Sequence, residues 1–262
     1  MRLAERIRST KVNKSEVALF YLAQAGFCIK TVDNIIIIDA YLSDACERLF
    51  NFKRMIPSVI KPEELDADLY LSTHEHADHL DPDSLPVIAK NKKTIFLGSP
   101  DCEELYKQNG ILKDRYIILK EGEQWETDGI KIRAVYADHG DLSPLGVGLL
   151  IDIEGIKIYH TGDTRFKPNE IVASLNTEVD IMMAPINGRF ENMNAEEACR
   201  LSLLLKPKIL IPIHFWMFVE HASLEGKGDP ATFLEESATF PKEIKAMVMA
   251  PGELFKYPLT LP

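Results

Sequence analysis

The chain alternates between short runs of β-branched and aromatic residues and stretches in which polar residues recur. Such runs, when they are bounded by glycine, proline or polar residues, are typical of β-strands. The runs occur along the whole chain. We predict strands at Val17–Leu22, Phe27–Val32, Asn34–Asp39, Leu69–Ser72, Thr94–Leu97, Tyr116–Leu119, Ile130–Ala137, Gly146–Ile153, Ile156–His160, Ile181–Ala184, Ile209–Ile213 and Ala246–Met249.

Helix signals lie between these runs. Asn194 is followed three residues later by Glu197 and then by apolar positions at helical spacing, which predicts a helix capped by Asn194 and ended before Pro207. Asp229 precedes a proline and predicts a second helix that extends to about Thr239. We also predict helices at Pro82–Lys90 and Asp101–Gln108.

The order of elements repeats loosely in the two halves of the chain. The first half leads through strands to a histidine cluster, and the second leads through strands to Tyr159–Thr164 (YHTGDT), a helix and a strand ending at His214. Two strand-rich halves with interspersed helices predict an α/β protein in which two packed sheets are flanked by helices. No linker-like segment interrupts the sequence, so we predict one domain over residues 1–262.

Composition limits the classes of function. The chain has 262 residues and a formal net charge of −10, and an acidic surface repels phosphate backbones, so we expect no nucleic-acid partner. No secretory signal and no bilayer-spanning apolar run is visible, and the four cysteines form no CxxC pair. We therefore expect a cytoplasmic protein with free thiols, no membrane partner and a small-molecule substrate. A homo-oligomer is compatible with this sequence.

A histidine cluster carries the strongest chemical signal. His74, His76, Asp78 and His79 fall within six residues, directly after a predicted strand. Imidazole and carboxylate groups are ligands that borderline divalent metal ions such as Zn²⁺ prefer. The chain has only seven histidines, so a chance cluster of three is improbable. The segment is therefore interpreted as a metal site.

This HxHxDH pattern closely resembles that of the metallo-β-lactamase superfamily. The resemblance implies the αββα four-layer fold, with two mixed β-sheets flanked by helices, and further site residues at strand ends. The matching positions are filled, in chain order, by Asp39, His139, Asp163 and His214. The implied metal ligands are His74, His76, His139, Asp78, His79, His214 and a bridging Asp163. Asp39 is implied to orient the cluster, and His160 either supports it or packs in the core.

The resemblance implies hydrolysis by a metal-activated water. Two metal ions about 3.5–4 Å apart lower the pKa of a shared water and generate hydroxide near neutral pH. The implied catalytic residues are His76, Asp78 and Asp163, and Asp78 accepts or relays a proton. Diiron members of the superfamily carry glutamate where His76 stands, so Zn²⁺ or Mn²⁺, one or two ions, is expected here.

Several longer segments resemble the UlaG-like branch, the ascorbate-6-phosphate lactonases. These are AQAGFCIK, IDAYLSD, HLDPDSLP, PINGRFENMNAEEA and LKPKILIPIHFWMF. The resemblance implies a small anionic lactone or ester, such as a sugar-phosphate lactone, as substrate. Asn187 and Arg189 are candidate substrate contacts, because arginine binds phosphate or carboxylate through a planar fork. The alternative for Arg189 is a tight turn with a solvent-facing side chain.

Two other functions share the same ligand set. A metal-dependent phosphodiesterase would need every one of these metal ligands, so the motif alone does not exclude it. A non-catalytic metal-binding protein of the same fold, one that has lost turnover, is the third function, and the full ligand set argues against it because decayed members usually lose ligands. Turnover tests on lactones and phosphodiesters separate the three functions.

Overall fold

The computed structural model describes residues 1–221 and 228–258. This part of the chain contains fourteen strands and seven α-helices. The strands are β1 (Val17–Ala23), β2 (Gly26–Lys30), β3 (Ile35–Ile38), β4 (Leu69–Ser72), β5 (Ile95–Gly98), β6 (Tyr116–Ile118), β7 (Gln124–Thr127), β8 (Ile130–Val135), β9 (Gly148–Ile153), β10 (Ile156–His160), β11 (Ile181–Pro185), β12 (Ile209–Ile213), β13 (Lys245–Ala246) and β14 (Leu254–Tyr257). The helices are α1 (Leu3–Ser9), α2 (Ala45–Phe50), α3 (Leu85–Ile88), α4 (Cys102–Gln108), α5 (Pro168–Leu175), α6 (Ala195–Leu205) and α7 (Pro230–Ser237).

The chain forms two compact units. The first comprises Met1–Ile118 and Met249–Pro262, and the second comprises Leu119–Val248. Each unit contains one seven-stranded sheet. The predicted single domain over residues 1–262 therefore stays a prediction, and the two units are described separately below.

The sheet of the first unit is mixed. Its strand order is β14-β1-β2-β3-β4-β5-β6, with antiparallel pairs from β14 to β3 and parallel pairs from β3 to β6. β1 and β4 are buried along their whole length, as expected for strands covered on both faces. Aromatic rings fill the core, where Tyr70 and Tyr106 both lie against Phe96 with centroid separations of 5.7 Å.

The sheet of the second unit has the order β13-β12-β11-β10-β9-β8-β7. β10 to β13 are parallel neighbours, and β7 to β10 are antiparallel neighbours. α6 packs against β11 and β12, and α5 packs against β8. Because β10, β11 and β12 run in one direction, the residues that follow them emerge at the same edge of the sheet.

The capping signals in the sequence identified the two longest predicted helices correctly. The Asn194 side chain accepts a hydrogen bond from the Glu197 amide at 2.9 Å, and the Glu197 carboxylate accepts one from the Asn194 amide at 3.0 Å. Lys206 ends α6 in the left-handed conformation, with φ of 51°. Asp229 caps α7 by accepting from the Ala231 amide at 2.8 Å.

Other predictions were incomplete or wrong. The predicted strand Ala246–Met249 is only β13, because pairing with β12 ends after two residues. The predicted helix Pro82–Lys90 is reduced to α3. Among the strands and α-helices, β7, β14, α1 and α2 were not predicted, whereas α5 lies after Tyr159–Thr164, where a helix was expected without bounds. β7 and β14 lie at sheet edges and alternate exposed or half-buried with more buried positions, so they lack a continuous apolar run.

Two further observations concern membranes and thiols. None of the helices in the described part of the chain has the length and apolar character needed to cross a bilayer. All four cysteines lie in that part too, as buried free thiols. Burial raises the pKa of the Cys28 thiol to about 12, so this cysteine is protonated at neutral pH.

Candidate functional site

The HxHxDH segment folds as a turn directly after β4. The backbone carbonyl of His76 accepts hydrogen bonds from the amides of His79 and Leu80, both at 2.8 Å, which turns the chain back on itself. The turn brings His74 Nε2 and His76 Nδ1 to 3.0 Å from each other. Two nitrogen ligands of one tetrahedral Zn²⁺ lie about 3.3 Å apart, so this pair has the spacing of two ligands of one ion.

Asp39 holds this turn from the neighbouring strand. It follows β3 in the left-handed conformation, with φ of 43°, and its side chain is fully buried. It accepts from the Thr73 amide at 2.8 Å and the Thr73 hydroxyl at 2.6 Å, and it lies 2.8 Å from His79 Nδ1. This contact fixes the His79 ring, so that Nε2 lies on the side of Asp78, 3.9 Å from Oδ2. A carboxylate that orients a histidine in this way is common at metal sites.

Asp78 is held by a residue that the sequence did not indicate. Gln24 Nε2 donates a hydrogen bond to Asp78 Oδ2 at 2.7 Å. Gln24 lies in the turn between β1 and β2 and is only 1% exposed.

The Cys46 thiol stays protonated near this site. Its burial is the largest cause that raises its pKa well above the ordinary value, and the negative charge of Asp78 is the next largest.

The second unit holds its own cluster around Asp163. Asp163 follows β10, and its Oδ2 lies 3.2 Å from His214 Nε2 and 3.7 Å from His139 Nε2. His214 directly follows β12 in the left-handed conformation, with φ of 62°, a strained backbone of the kind found at functional sites. Asn192 Nδ2 donates to Asp163 Oδ2 at 2.8 Å.

His160 shapes the turn that carries Asp163. It is the last residue of β10 and is fully buried. Its Nδ1 accepts a hydrogen bond from the Gly162 amide at 3.2 Å. The ring therefore supports the backbone of the TGD turn, and the choice between support of a metal cluster and core packing stays open.

Asn187 and Arg189 lie in a hairpin between β11 and α6. The hairpin is closed by a bridge between Asn187 and Asn194 and by a 3.0 Å hydrogen bond from the Gly188 amide to the Met193 carbonyl. Arg189 is half-buried, and within the described residues its Nε makes no hydrogen bond. The tight turn is therefore present with Arg189 half-buried in it, and the role of Arg189 as a substrate contact stays a prediction.

Ion pairs tie the hairpin to the segment that follows Asp163. The Arg165 guanidinium pairs with Glu191 and, at 3.4 Å, with Asp138. These pairs raise the pKa of Arg165, with the Glu191 contact as the largest cause. The charge of the Arg165 guanidinium is therefore already matched by two carboxylates.

The donor sets within each unit fit a divalent metal ion. The first offers imidazole nitrogens and the Asp78 carboxylate, and the second offers two imidazoles and the Asp163 carboxylate. These are borderline ligands that suit Zn²⁺ and Mn²⁺. The hydrogen bond that His79 Nδ1 donates to the Asp39 carboxylate orients the His79 ring, as residues behind metal ligands commonly do.

Comparison with known protein families identifies the family of this chain. Residues 18–214 match the model of the beta-lactamase superfamily domain. A UPF0173 metal-dependent hydrolase from Polynucleobacter asymbioticus is 30% identical over 263 residues, covering 93% of this chain and 87% of the relative. The chain belongs to the UPF0173 metal-dependent hydrolases of the metallo-β-lactamase superfamily.

Solved structures give the same fold. Igni18, a metallo hydrolase from Ignicoccus hospitalis, has a TM-score of 0.70 and 24% identity, and the match covers 94% of this chain and 100% of that one. An isothiocyanate hydrolase from Delia radicum gut bacteria has a TM-score of 0.72 and 20% identity, with coverage of 91% and 98%. The predicted metallo-β-lactamase fold, with two mixed sheets flanked by helices, is confirmed.

Three polar residues of this UPF0173 hydrolase escaped prediction. Gln24 and Asn192 each donate to a candidate ligand, and Asp81 organises the loop after the histidines. Gln24 and Asn192 contact partners 54 and 29 residues away, so no local pattern marks them. Asp81 lies two residues after His79, where repeated Asp and Ser residues offered a signal for a turn.

Proposed function

We propose that this UPF0173 hydrolase uses a metal-activated water to open a small anionic lactone or ester, such as a sugar-phosphate lactone. The proposed metal ligands are His74, His76, His139, Asp78, His79, His214 and Asp163, holding one or two Zn²⁺ or Mn²⁺ ions. The observation that carries the proposal is the pair of donor clusters, one in each unit: His74 Nε2 lies 3.0 Å from His76 Nδ1, and His214 Nε2 lies 3.2 Å from Asp163 Oδ2. The UPF0173 membership supports hydrolysis as the reaction class.

When bound, the metal supplies Lewis-acid activation of water and of the scissile oxygen. The protein supplies orientation and proton transfer. Asp39 fixes His79 through its 2.8 Å contact and keeps Nε2 as the ligand atom. The Asp78 side chain is 17% exposed, against 4% for Asp163, so Asp78 is the carboxylate that solvent and substrate reach more readily. We therefore assign proton acceptance to Asp78.

The substrate class rests on Arg189 and Asn187. Arg189 combines a half-buried guanidinium with an Nε that makes no hydrogen bond among residues 1–221 and 228–258. Buried donors and acceptors require partners, and a substrate phosphate or carboxylate would supply one. Asn187 Oδ1 is likewise buried and accepts no hydrogen bond among the described residues, so a hydroxyl group of the substrate could donate one to it. The UlaG-like segments described above support the lactone as the reacting group.

The test is turnover by chelator-treated protein to which Zn²⁺ or Mn²⁺ is returned separately. The panel contains a sugar-phosphate lactone, a simple uncharged lactone, a chromogenic phosphodiester and an isothiocyanate. Metal-restored opening of the phosphorylated lactone, faster than that of the uncharged one, supports the proposal. Phosphodiester cleavage alone would replace it with the phosphodiesterase alternative. Metal binding without turnover of any substrate would favour the non-catalytic alternative.

A further inference from the structure

The two aspartates among the proposed ligands share one feature. Each accepts a hydrogen bond from a primary amide, on the same oxygen that approaches a histidine nitrogen. In the first unit, Gln24 Nε2 donates to Asp78 Oδ2 at 2.7 Å. In the second unit, Asn192 Nδ2 donates to Asp163 Oδ2 at 2.8 Å. Asp39, which is not a proposed ligand, lies against a histidine and a threonine instead.

Both residues are buried, and backbone hydrogen bonds hold each of them in place. Gln24 is 1% exposed and has φ of 55°, and its carbonyl accepts from the Tyr21 hydroxyl at 3.0 Å. Asn192 is 7% exposed, and its own amide donates to the Arg189 carbonyl at 2.9 Å. The neighbouring Met193 amide donates at 3.0 Å to the Thr164 carbonyl, directly after Asp163. The loop that carries Asn192 is thus attached to the turn that carries its partner.

An amide is suited to hold a ligand carboxylate. Its N–H stabilises the ionised form of the carboxylate and fixes the direction in which the oxygens point. It carries no charge, whereas a lysine or arginine at the same distance would repel an incoming dication. A buried neutral donor therefore orients the ligand without competing with the metal.

We propose that Gln24 and Asn192 are positioning residues that preorganise Asp78 and Asp163 for metal binding. The proposal rests on the proposed function, since it takes these two aspartates as metal ligands. Removing either amide leaves the aspartate side chain able to rotate away and to bind water. Metal affinity is expected to fall as a result. Residues that hydrogen-bond to metal ligands typically contribute about 10- to 100-fold to metal affinity.

The test compares Asn192→Leu, which keeps the approximate volume and removes the donor, with Asn194→Ala two residues later. Asn194 caps α6 and, among the described residues, makes no hydrogen bond to Asp163, so its loss is expected to lower the free energy of unfolding and to leave metal affinity unchanged. Metal affinity is measured for Zn²⁺ and for Mn²⁺ by competition with a chromophoric chelator. We expect Asn192→Leu to weaken affinity by about 10- to 100-fold. Gln24→Met, in the other unit, is expected to do the same.

Two further variants separate this proposal from the proposed function. If Asp163→Asn binds metal as tightly as the unmodified protein, the assigned ligand set is wrong. If Asp163→Asn weakens binding while folded Asn192→Leu and Gln24→Met both keep normal affinity, only the positioning role is overturned. The double variant Asp163→Asn/Asn192→Leu is expected to match Asp163→Asn alone, because Asn192 acts through Asp163. Should Asn192→Leu fail to fold, Gln24→Met decides alone.

Discussion

Asp81 offers the sharpest test of how the histidine turn is held. Its fully buried carboxylate accepts hydrogen bonds from the backbone amides of Leu42 and Ser43, at 2.9 and 2.8 Å, and from the Ser43 hydroxyl at 2.6 Å. It also accepts from the amides of Asp83 and Ser84, at 3.0 and 3.3 Å, and from the Ser84 hydroxyl. One side chain thus joins the segment after β3 to the segment after the histidines.

The substitution Asp81→Ala removes all these acceptors at once. A hydrogen bond to a charged group contributes about 1.5–3 kcal/mol, but donors that share one carboxylate do not add independently. We therefore expect a loss of about 3–5 kcal/mol in the free energy of unfolding, a large part of the usual 5–15 kcal/mol. The assay is urea denaturation of metal-free protein, followed by circular dichroism, so that metal binding does not enter the result.

The matched control is Asp83→Ala. Asp83 is an exposed residue that pairs with Arg48 on the surface, and such pairs contribute about 0–1 kcal/mol. If Asp81→Ala loses less than about 1 kcal/mol in the free energy of unfolding, or no more than Asp83→Ala, the Asp81 carboxylate does not organise the turn.

Three other predictions follow from the site. Asp163→Ala is expected to lose turnover and also the stabilisation that bound Zn²⁺ gives, which is about 2.7 kcal/mol at a Zn²⁺ concentration of 100 times the Kd. Turnover assays and differential scanning calorimetry with and without metal measure the two losses, and full retention of either property would contradict the assignment of Asp163 as a ligand. Gly140→Ala is expected to lower the free energy of unfolding by about 1–3 kcal/mol, because Gly140 has φ of 58° and a Cβ would collide with the Glu191 carboxylate. Urea titrations measure this, and an unchanged urea midpoint of unfolding would refute the reasoning. Arg189→Ala is expected to raise KM for a phosphorylated substrate about 10- to 100-fold with kcat little changed. The control is Arg200→Ala, an exposed position on α6, which is expected to leave KM unchanged. Equal KM values for the two variants would remove Arg189 from the substrate site.

The sequence allowed prediction of the elements that carry the metal-ligand candidates, because those elements are buried and locally patterned. β4 and β12 are apolar over nearly their whole length, β10 alternates apolar residues with Lys157, and a ligand candidate follows each strand within three residues. The start of helix α6 is predicted from the Asn194 capping box. Such signals are contained in a few neighbouring residues, so a single sequence is enough to read them.

The missed features depend on contacts between distant residues. β14 pairs with β1, more than two hundred residues earlier in the chain, and its alternating pattern takes meaning only from that pairing. The amides of Gln24 and Asn192 become significant only when folding brings them to Asp78 and Asp163. α1 and α2 have seven and six residues, too few for a clear helical period.

The place of β14 in the first unit has a consequence for synthesis on the ribosome. All of Leu119–Val248 is translated after β1 and before β14, so the second unit can complete its sheet while the first still lacks a strand. During that interval β1, with its apolar sequence VALFYLA, has one unpaired edge. An apolar strand with an open edge is a site for association with other chains, and this edge stays open until Leu254–Tyr257 is translated and pairs with β1.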